Sequence, residues 1–348
     1  MARFWLNNDL TDRLAMLEQA TDAHTGMVQL AVEKDWWVMV TLKALFDCEC
    51  SDSLIFKGGT SLSKGFGVID RFSEDIDLAI SHTFFGIEKT SKSQKEKLRK
   101  KAREYIHTRL SAELDDRLKA MGIEGYRIEN VTHVEDRDGN LNAIDSDKDP
   151  TVILLHYPSI VESSISYIPP RVKIEVSCLS MDVPTEMREI RSMIAETFPD
   201  EDEGTLGVFR TVVPSRTFLE KIFLLAEEFQ KARPRHVRMS RHLYDLERLM
   251  DTGYGKAALA DDALYNAIIE HRRTYYALKY VDYDRHARET ISFLPPDELL
   301  EDWRKDYADM QAYFIYGDAL DFNALIERMR ELQARINHTS RQINDVRV

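Results

Sequence analysis

Apolar residues recur at helical spacing through the first fifty positions. Asn8 and Asp9 stand where a cap would precede a run reaching Ala20. Thr25 stands before a longer run carrying Met27, Leu30, Ala31, Trp37, Val38, Leu42, Leu45 and Phe46. At residues 53–57 the pattern shortens to a brief apolar strand, closed by Gly58-Gly59 and a short helical stretch over residues 60–66. Next, Asp75-Ile76-Asp77-Leu78-Ala79-Ile80 alternates as a half-buried strand does, with Ile76 and Leu78 on one face and the aspartates on the other. A basic amphipathic helix over residues 89–121 follows, then a strand over 126–134, a turn at Asp138-Gly139, and strands over 151–157 and 171–177.

After Pro184 the spacing is helical throughout: residues 185–196, 215–231, 238–251, 257–280, 296–316 and 322–343. This order predicts an α+β fold in three parts. Residues 1–50 form an N-terminal helical layer, 51–183 a small mixed sheet with a helical and hairpin insertion, and 184–348 a C-terminal helical bundle. A chain of 348 residues has room for such a core with large helical additions.

Composition narrows the function classes. With 43% hydrophobic and 31% charged residues the chain lies in the soluble globular range. The apolar run Trp36-Trp37-Val38-Met39-Val40 is bounded by Lys34-Asp35 and Lys43, far short of the roughly 20 residues a bilayer span needs. The first residues lack an apolar signal core, so a cytoplasmic protein is expected. The odd cysteine count, Cys48, Cys50 and Cys178, does not describe a disulfide framework, and Cys48-x-Cys50 lacks zinc-knuckle spacing. A net charge of −13 excludes a surface that coats nucleic acid everywhere and leaves two local basic patches. One runs from Lys89 to Arg103 through Lys92, Lys95, Lys97, Arg99, Lys100 and Lys101; the other holds Arg233, Arg235, His236, Arg238, Arg241 and His242. The acidic triplet Asp145-x-Asp147-x-Asp149 begins like a calcium loop, but Pro150 replaces the needed glycine and His156 the closing glutamate, so it reads as a solvated hairpin loop.

The chemistry concentrates around one turn. Two residues apart on a strand, the carboxylates of Asp75 and Asp77 project from one face about 7 Å apart, a spacing that suits shared divalent metal. Magnesium takes a few carboxylates together with substrate phosphates, and Glu175 on a later strand is the candidate third ligand, with Lys173 on the same face and pairing to a neighbouring strand as the competing reading. Upstream, Lys57-Gly58-Gly59-Thr60-Ser61 lies between strand and helix, where backbone N–H groups favour phosphate and glycine permits close approach. Lys64 and Arg71 are within sequence reach of that phosphate, with plain solvation as the competing reading. An isolated aspartate pair on a strand would be only a polar face; the glycine turn before it changes the weighing.

Gly58-Gly59-Thr60-Ser61-Leu62 followed by Arg71-x-Ser73-x-Asp75-Ile76-Asp77-Leu78 resembles the AbiEii/AbiGii family of nucleotidyltransferase toxins. Glu33-Lys34-Asp35-Trp36-Trp37-Val38 before it also resembles that family, as do Arg171-Val172-Lys173-Ile174-Glu175-Val176, Glu220-Lys221 and Arg241-His242-Leu243-Tyr244-Asp245-Leu246 after it. The likeness covers roughly residues 30–250. It implies a polymerase-beta-like nucleotidyltransferase fold and a toxin of a toxin–antitoxin pair linked to abortive infection, with a neighbouring antitoxin as partner. It further implies that Gly58, Gly59 and Ser73 hold a nucleoside triphosphate, that Asp75 and Asp77 bind magnesium, and that Lys221 and Asp245 complete the active site.

Spacing alone weighs the last two differently. Lys221 lies at the edge of the stripe Phe218, Ile222, Leu225 and Phe229, equally able to enter a cleft or reach solvent. Asp245 falls opposite the face formed by Leu243, Leu246 and Met250, where an exposed pair with Arg241 is expected. Some family members modify tRNA, and the basic helix could meet a phosphate backbone, so tRNA is the leading acceptor. A protein or small-molecule acceptor, and a catalytically degenerate binding module, are the rival readings.

Overall fold

The computed structural model describes residues 2–87, 91–135, 139–162 and 168–345. Lys89 of the first basic patch and Asp138 of the expected turn lie outside them. The chain forms an α+β structure divided into two compact units: residues 1–66 with 72–212, and residues 67–71 with 213–348.

In the first unit, α1 (Leu10–Ala23) starts at Asp9, whose side chain accepts the Asp12 amide hydrogen. The second helix, α2 (Gln29–Phe46), begins after Val28 rather than at Thr25, and its start has no side-chain cap. Nearly every α2 residue is buried, including Glu33, Lys34 and Asp35. Trp5, Trp36, Trp37 and Tyr157 form a chain of ring contacts at its centre, with successive centroids 5.3, 5.1 and 4.9 Å apart.

β1 (Leu54–Lys57) runs into the turn and short helix α3 (Gly58–Thr60), which continues as a π-helical turn to Gly65. β2 (Asp75–Ile80) follows. The expected basic helix is α4 (Lys92–Tyr105) joined through a π turn to α5 (Ser111–Ala120). The strand expected over 126–134 is two elements: β3 (Arg127–Asn130) and β4 (His133–Glu135), the latter paired in a separate ribbon with β5 (Leu141–Ala143). Then come β6 (Thr151–His156) and β7 (Arg171–Ser177).

One expectation fails here. Residues 185–190, read as the start of a helix, form β8 (Thr185–Ile190); only α6 (Met193–Thr197) is helical, and β9 (Gly207–Val212) is a strand where no element was expected. Thr-Glu-Met-Arg-Glu-Ile matches helical spacing as well as alternation, and pairing of six residues with β9 decides between them.

The seven-stranded sheet has the order β3-β6-β7-β2-β1-β9-β8. β2 pairs antiparallel with β1 and parallel with β7, which makes it the central strand. Ile76, Leu78, Ile174 and Val176 are buried on one face, and α2 packs against β2 and β7. The three cysteines are buried free thiols, with burial pushing Cys48 up to about 12.

In the second unit, α7 (Pro214–Glu228) has Pro214 in its first turn, a position that lacks an intrahelical partner for its nitrogen in any case. α8 (Ser240–Met250), α9 (Gly253–Ala260), α10 (Asp262–His271), α11 (Leu300–Tyr313) and α12 (Phe322–Asp345) complete it. α8 is surrounded, packing on α7, α9, α11 and α12. The stretch expected as one helix over 257–280 is broken at Asp261, whose side chain caps α10 by accepting from the Leu264 amide. Residues 67–71 are tied to this unit by an Arg71–Ile315 bridge, by Tyr316 and Gly317 amides donating to the Asp70 carbonyl, and by the Arg248–Asp70 ion pair at 2.7 Å. Among the described residues no helix is long and apolar enough to cross a membrane.

Candidate active site

The first unit gathers the glycine turn and the strand carboxylates. Lys57 pairs with Asp77 in the β1–β2 register, so the chain reverses directly beside that carboxylate. Gly58 adopts φ +82°, and a Cβ placed there would lie 2.0 Å from Asp77 Oδ2. Glycine is therefore required twice, by the left-handed backbone and by the close approach of the carboxylate. Thr60 Oγ1 donates to the Asp75 carbonyl at 2.5 Å and stands 3.0 Å from Ser73 Oγ, while Ser61 Oγ donates to the Gly58 carbonyl at 2.9 Å. Thr60 and Ser61 are buried. The Thr60 hydroxyl ties the turn to β2, and the Ser61 hydroxyl closes the turn on itself.

On β2 the two aspartates are half-buried and share a face. The parallel β7 strand sets Lys173 beside Asp75 and Glu175 beside Asp77. Lys173 Nζ lies 2.6 Å from Glu175 Oε1. Burial opposes the Lys173 charge, but Glu175, Asp75 and Asp77 hold its ammonium above the ordinary lysine value. Glu175, expected to complete a metal shell, is thus engaged by a lysine on its own strand. Among the described residues no three His, Cys, Asp or Glu side chains converge as a ready metal cage. The donor set that is present, two adjacent carboxylates beside a turn without a side chain, fits magnesium, which draws the rest of its shell from water and phosphate.

Lys64 is placed differently from the phosphate reading. Its Nζ lies 3.3 Å from Asp35 Oδ1 and 3.0 Å from Glu196 Oε1. Burial opposes its charge, and these two carboxylates outweigh burial to raise its pKa. Asp35 in turn accepts the Met193 amide at 2.7 Å, and burial raises its own pKa.

The sequence reading missed a buried support beneath the motif. Lys34 Nζ lies 2.6 Å from Glu74 Oε2, both nearly solvent-free at 2% and 5%, and donates to the Pro169 carbonyl at 3.1 Å. Glu74 separates Ser73 from Asp75, so this pair anchors the entry to β2. The charged triplet Glu33-Lys34-Asp35 inside an apolar helix is the sequence signal for such a network.

The second unit gathers Arg71, Lys221 and Asp245. Arg71 Nε and Nη2 meet Asp245 Oδ1 and Oδ2 at 2.6 and 2.8 Å, a bidentate pair. Lys221 Nζ lies 2.9 Å from Asp245 Oδ2 and 3.4 Å from His242 Nδ1. The exposed Asp245–Arg241 pair expected from spacing is thereby corrected: Asp245 is 0% exposed, with Arg71 at 4% and Lys221 at 7%. Helical spacing assigned Asp245 to solvent because it assumed one free face, and α8 has none.

Burial opposes the Asp245 charge, yet Arg71 and Lys221 hold its carboxyl below the usual value. Burial and Arg71 lower Lys221 in spite of Asp245. Burial, then Lys221 and the arginines 241, 71 and 235, keep His242 well below its ordinary value, so its ring is neutral and its Nδ1 accepts from Lys221. Asp245 thus meets both basic side chains of the cluster.

A model of the family described as nucleotidyl transferase AbiEii toxin, type IV toxin–antitoxin system, matches residues 41–328. No curated protein sequence matches the chain. Among solved structures, MenT4, a nucleotidyltransferase toxin of Mycobacterium tuberculosis, is similar at 15% identity over 93% of this chain and 97% of that one, with a TM-score of 0.43.

Proposed function

The chain belongs to the AbiEii nucleotidyl transferase toxin family of type IV toxin–antitoxin systems, and from that premise we propose that it transfers a nucleotide from a nucleoside triphosphate to an acceptor hydroxyl on tRNA, using magnesium. The observation that carries this reading is the packing of the Asp77 carboxylate against Gly58, which puts the strand acids and a bare backbone turn side by side.

The acceptor oxygen attacks the alpha-phosphorus, a new P–O bond forms, and the bond to pyrophosphate breaks. The hydroxyl proton passes to a carboxylate oxygen of Asp75 or Asp77. Magnesium held by these aspartates would neutralise charge on the attacking and leaving oxygens. Gly58 and Gly59 offer backbone N–H groups to the triphosphate with no side chain in the way. Thr60, Ser61 and Ser73 act by holding that turn in place. Lys221 and Asp245 are assigned to the reaction on family correspondence, with Lys221 opposing charge on the triphosphate, and Arg71 holds Asp245 as its bidentate partner. Lys64 is left as a support of the turn through Asp35 and Glu196.

tRNA is favoured over protein because α4 presents Lys92, Lys97, Lys100 and Lys101 as exposed cations on a chain that is otherwise acidic. A cytoplasmic location and a cognate antitoxin accompany this assignment.

The test is incubation of the purified protein with total RNA, magnesium and each labelled nucleoside triphosphate in turn, beside the Asp75→Ala/Asp77→Ala variant. Label entering tRNA with the wild type alone is the expected result. Label on a protein band instead would move the acceptor while keeping the chemistry. No label under any condition would point to a binding module.

A further inference from the structure

The strand face that carries Asp75 and Asp77 also carries a cation of the protein's own. β7 pairs parallel with β2, and in that register Lys173 lies beside Asp75 and Glu175 beside Asp77. Alternation along a strand puts residues two apart on the same face, so these four side chains form one block. Within it Lys173 Nζ lies 2.6 Å from Glu175 Oε1. Both side chains are partly open to solvent, at 40% and 27% exposure, so neither is locked by packing. The block holds three carboxylates, yet no three ligating groups converge among the described residues. The carboxylate that would be third is the one held by the lysine.

A divalent ion entering between Asp75 and Asp77 meets this lysine in two ways. Its charge repels the ion at close range, and its hydrogen bond keeps Glu175 from turning toward the ion. Both effects vanish if the ammonium is removed and persist if another cation replaces it.

We propose that Lys173 is a resident counter-cation of the site that competes with the divalent metal for Glu175 and so weakens metal uptake by the nucleotide-free protein. The proposal rests on the reading of Asp75 and Asp77 as the metal carboxylates. In consequence one of the three carboxylates is already offset in the free protein, and firm metal binding awaits the triphosphate oxygens, which add negative charge to the same face. Lys173 is a positioning residue here, acting through Glu175.

The test measures manganese(II) binding to the full chain without nucleotide, by calorimetric titration and by loss of the free-ion electron paramagnetic resonance signal. Lys173→Met is expected to bind manganese about three- to tenfold more tightly than wild type, the size of effect one partly exposed unit charge exerts at a few ångströms. Lys173→Arg keeps the charge and should stay near wild type. In a Glu175→Gln background, removing Lys173 should yield a clearly smaller gain, because the competed carboxylate is gone. Thermal melts of all variants check that the sheet is intact.

Lys173→Met binding no tighter than wild type would overturn the proposal, and so would an equal gain with and without Glu175. Undiminished manganese binding by Asp75→Ala/Asp77→Ala would instead overturn the metal assignment of the aspartates, a failure the Lys173 series does not produce.

Discussion

Two charged clusters, one in each unit, are built on opposite principles. In the first unit the acids of β2 and the Lys173–Glu175 pair are half-buried, arranged by strand register, and in part open to water. In the second, Arg71, Lys221, Asp245 and His242 are almost free of solvent and arranged by side-chain contact between elements remote in sequence. The first arrangement leaves charge available to a ligand, and its loss should cost chemistry. The second spends much of its charge internally, and its loss should cost the fold, because a buried ion without its partner is expensive. Loss of transfer with the fold intact is therefore expected of the first cluster alone.

The largest expected effect is on turnover. Asp75→Ala/Asp77→Ala should lower nucleotide transfer by about a thousandfold or more, the scale of losing charge stabilisation in a transition state. Its thermal melt should stay close to wild type. A melt lowered as far as that of a buried-cluster variant would dissolve the contrast between the two regions.

Next comes stability. Arg71→Met leaves Asp245 with Lys221 in a solvent-free position, and Lys34→Met removes from buried Glu74 the ammonium 2.6 Å away. Each should reduce unfolding free energy in urea by about 3–5 kcal/mol. Removing all three ions, as in Arg71→Met/Lys221→Met/Asp245→Leu, should recover part of the loss, and no recovery would show that the cluster does more than neutralise itself.

A smaller effect concerns pH. Both ring nitrogens of the buried His286 lack a hydrogen-bond partner among the described residues, and burial pushes its pKa down to about 4. The unfolded chain, titrating near 6.5, takes up a proton that the folded chain refuses, so this contribution to stability is complete above 6.5 and is lost as pH falls from 6.5 toward 4. His242, lowered in the same direction, adds to the trend. His286→Phe should flatten the fall in melting temperature across that interval.

The smallest effect is expected on α4. Lys97→Glu/Lys100→Glu should weaken RNA binding and reduce the steepness of its salt dependence, while leaving the melt unchanged. An unaltered salt slope would remove this helix from the acceptor surface.

How much of this is legible in the sequence follows from the same contrast. Period-two alternation places Asp75 and Asp77 on one strand face, and the double glycine marks the turn before them, because each is a local requirement of backbone geometry. The helices of the second unit that follow a clean apolar stripe, α7, α8 and α12, are readable for the same reason. What local spacing does not contain is the identity of partners. Asp245 meets Arg71 at a separation of 174 residues, so its burial depends on how α8 is surrounded. β8 and β9 define each other by pairing, and neither alone carries a decisive pattern. The hold of Lys173 on Glu175 is a same-strand contact, where the spacing points to a neighbouring strand as the competing partner.

The central claim is nucleotidyl transfer at Asp75 and Asp77, and the most direct measurement compares labelled triphosphates. Wild-type protein would be supplied with magnesium, total RNA and one nucleoside triphosphate, labelled on either the alpha- or the gamma-phosphate. The account predicts that alpha label enters RNA while gamma label appears as pyrophosphate, and that Asp75→Ala/Asp77→Ala does neither. Gamma label entering the acceptor, or alpha label transferred equally by the double variant, would contradict it.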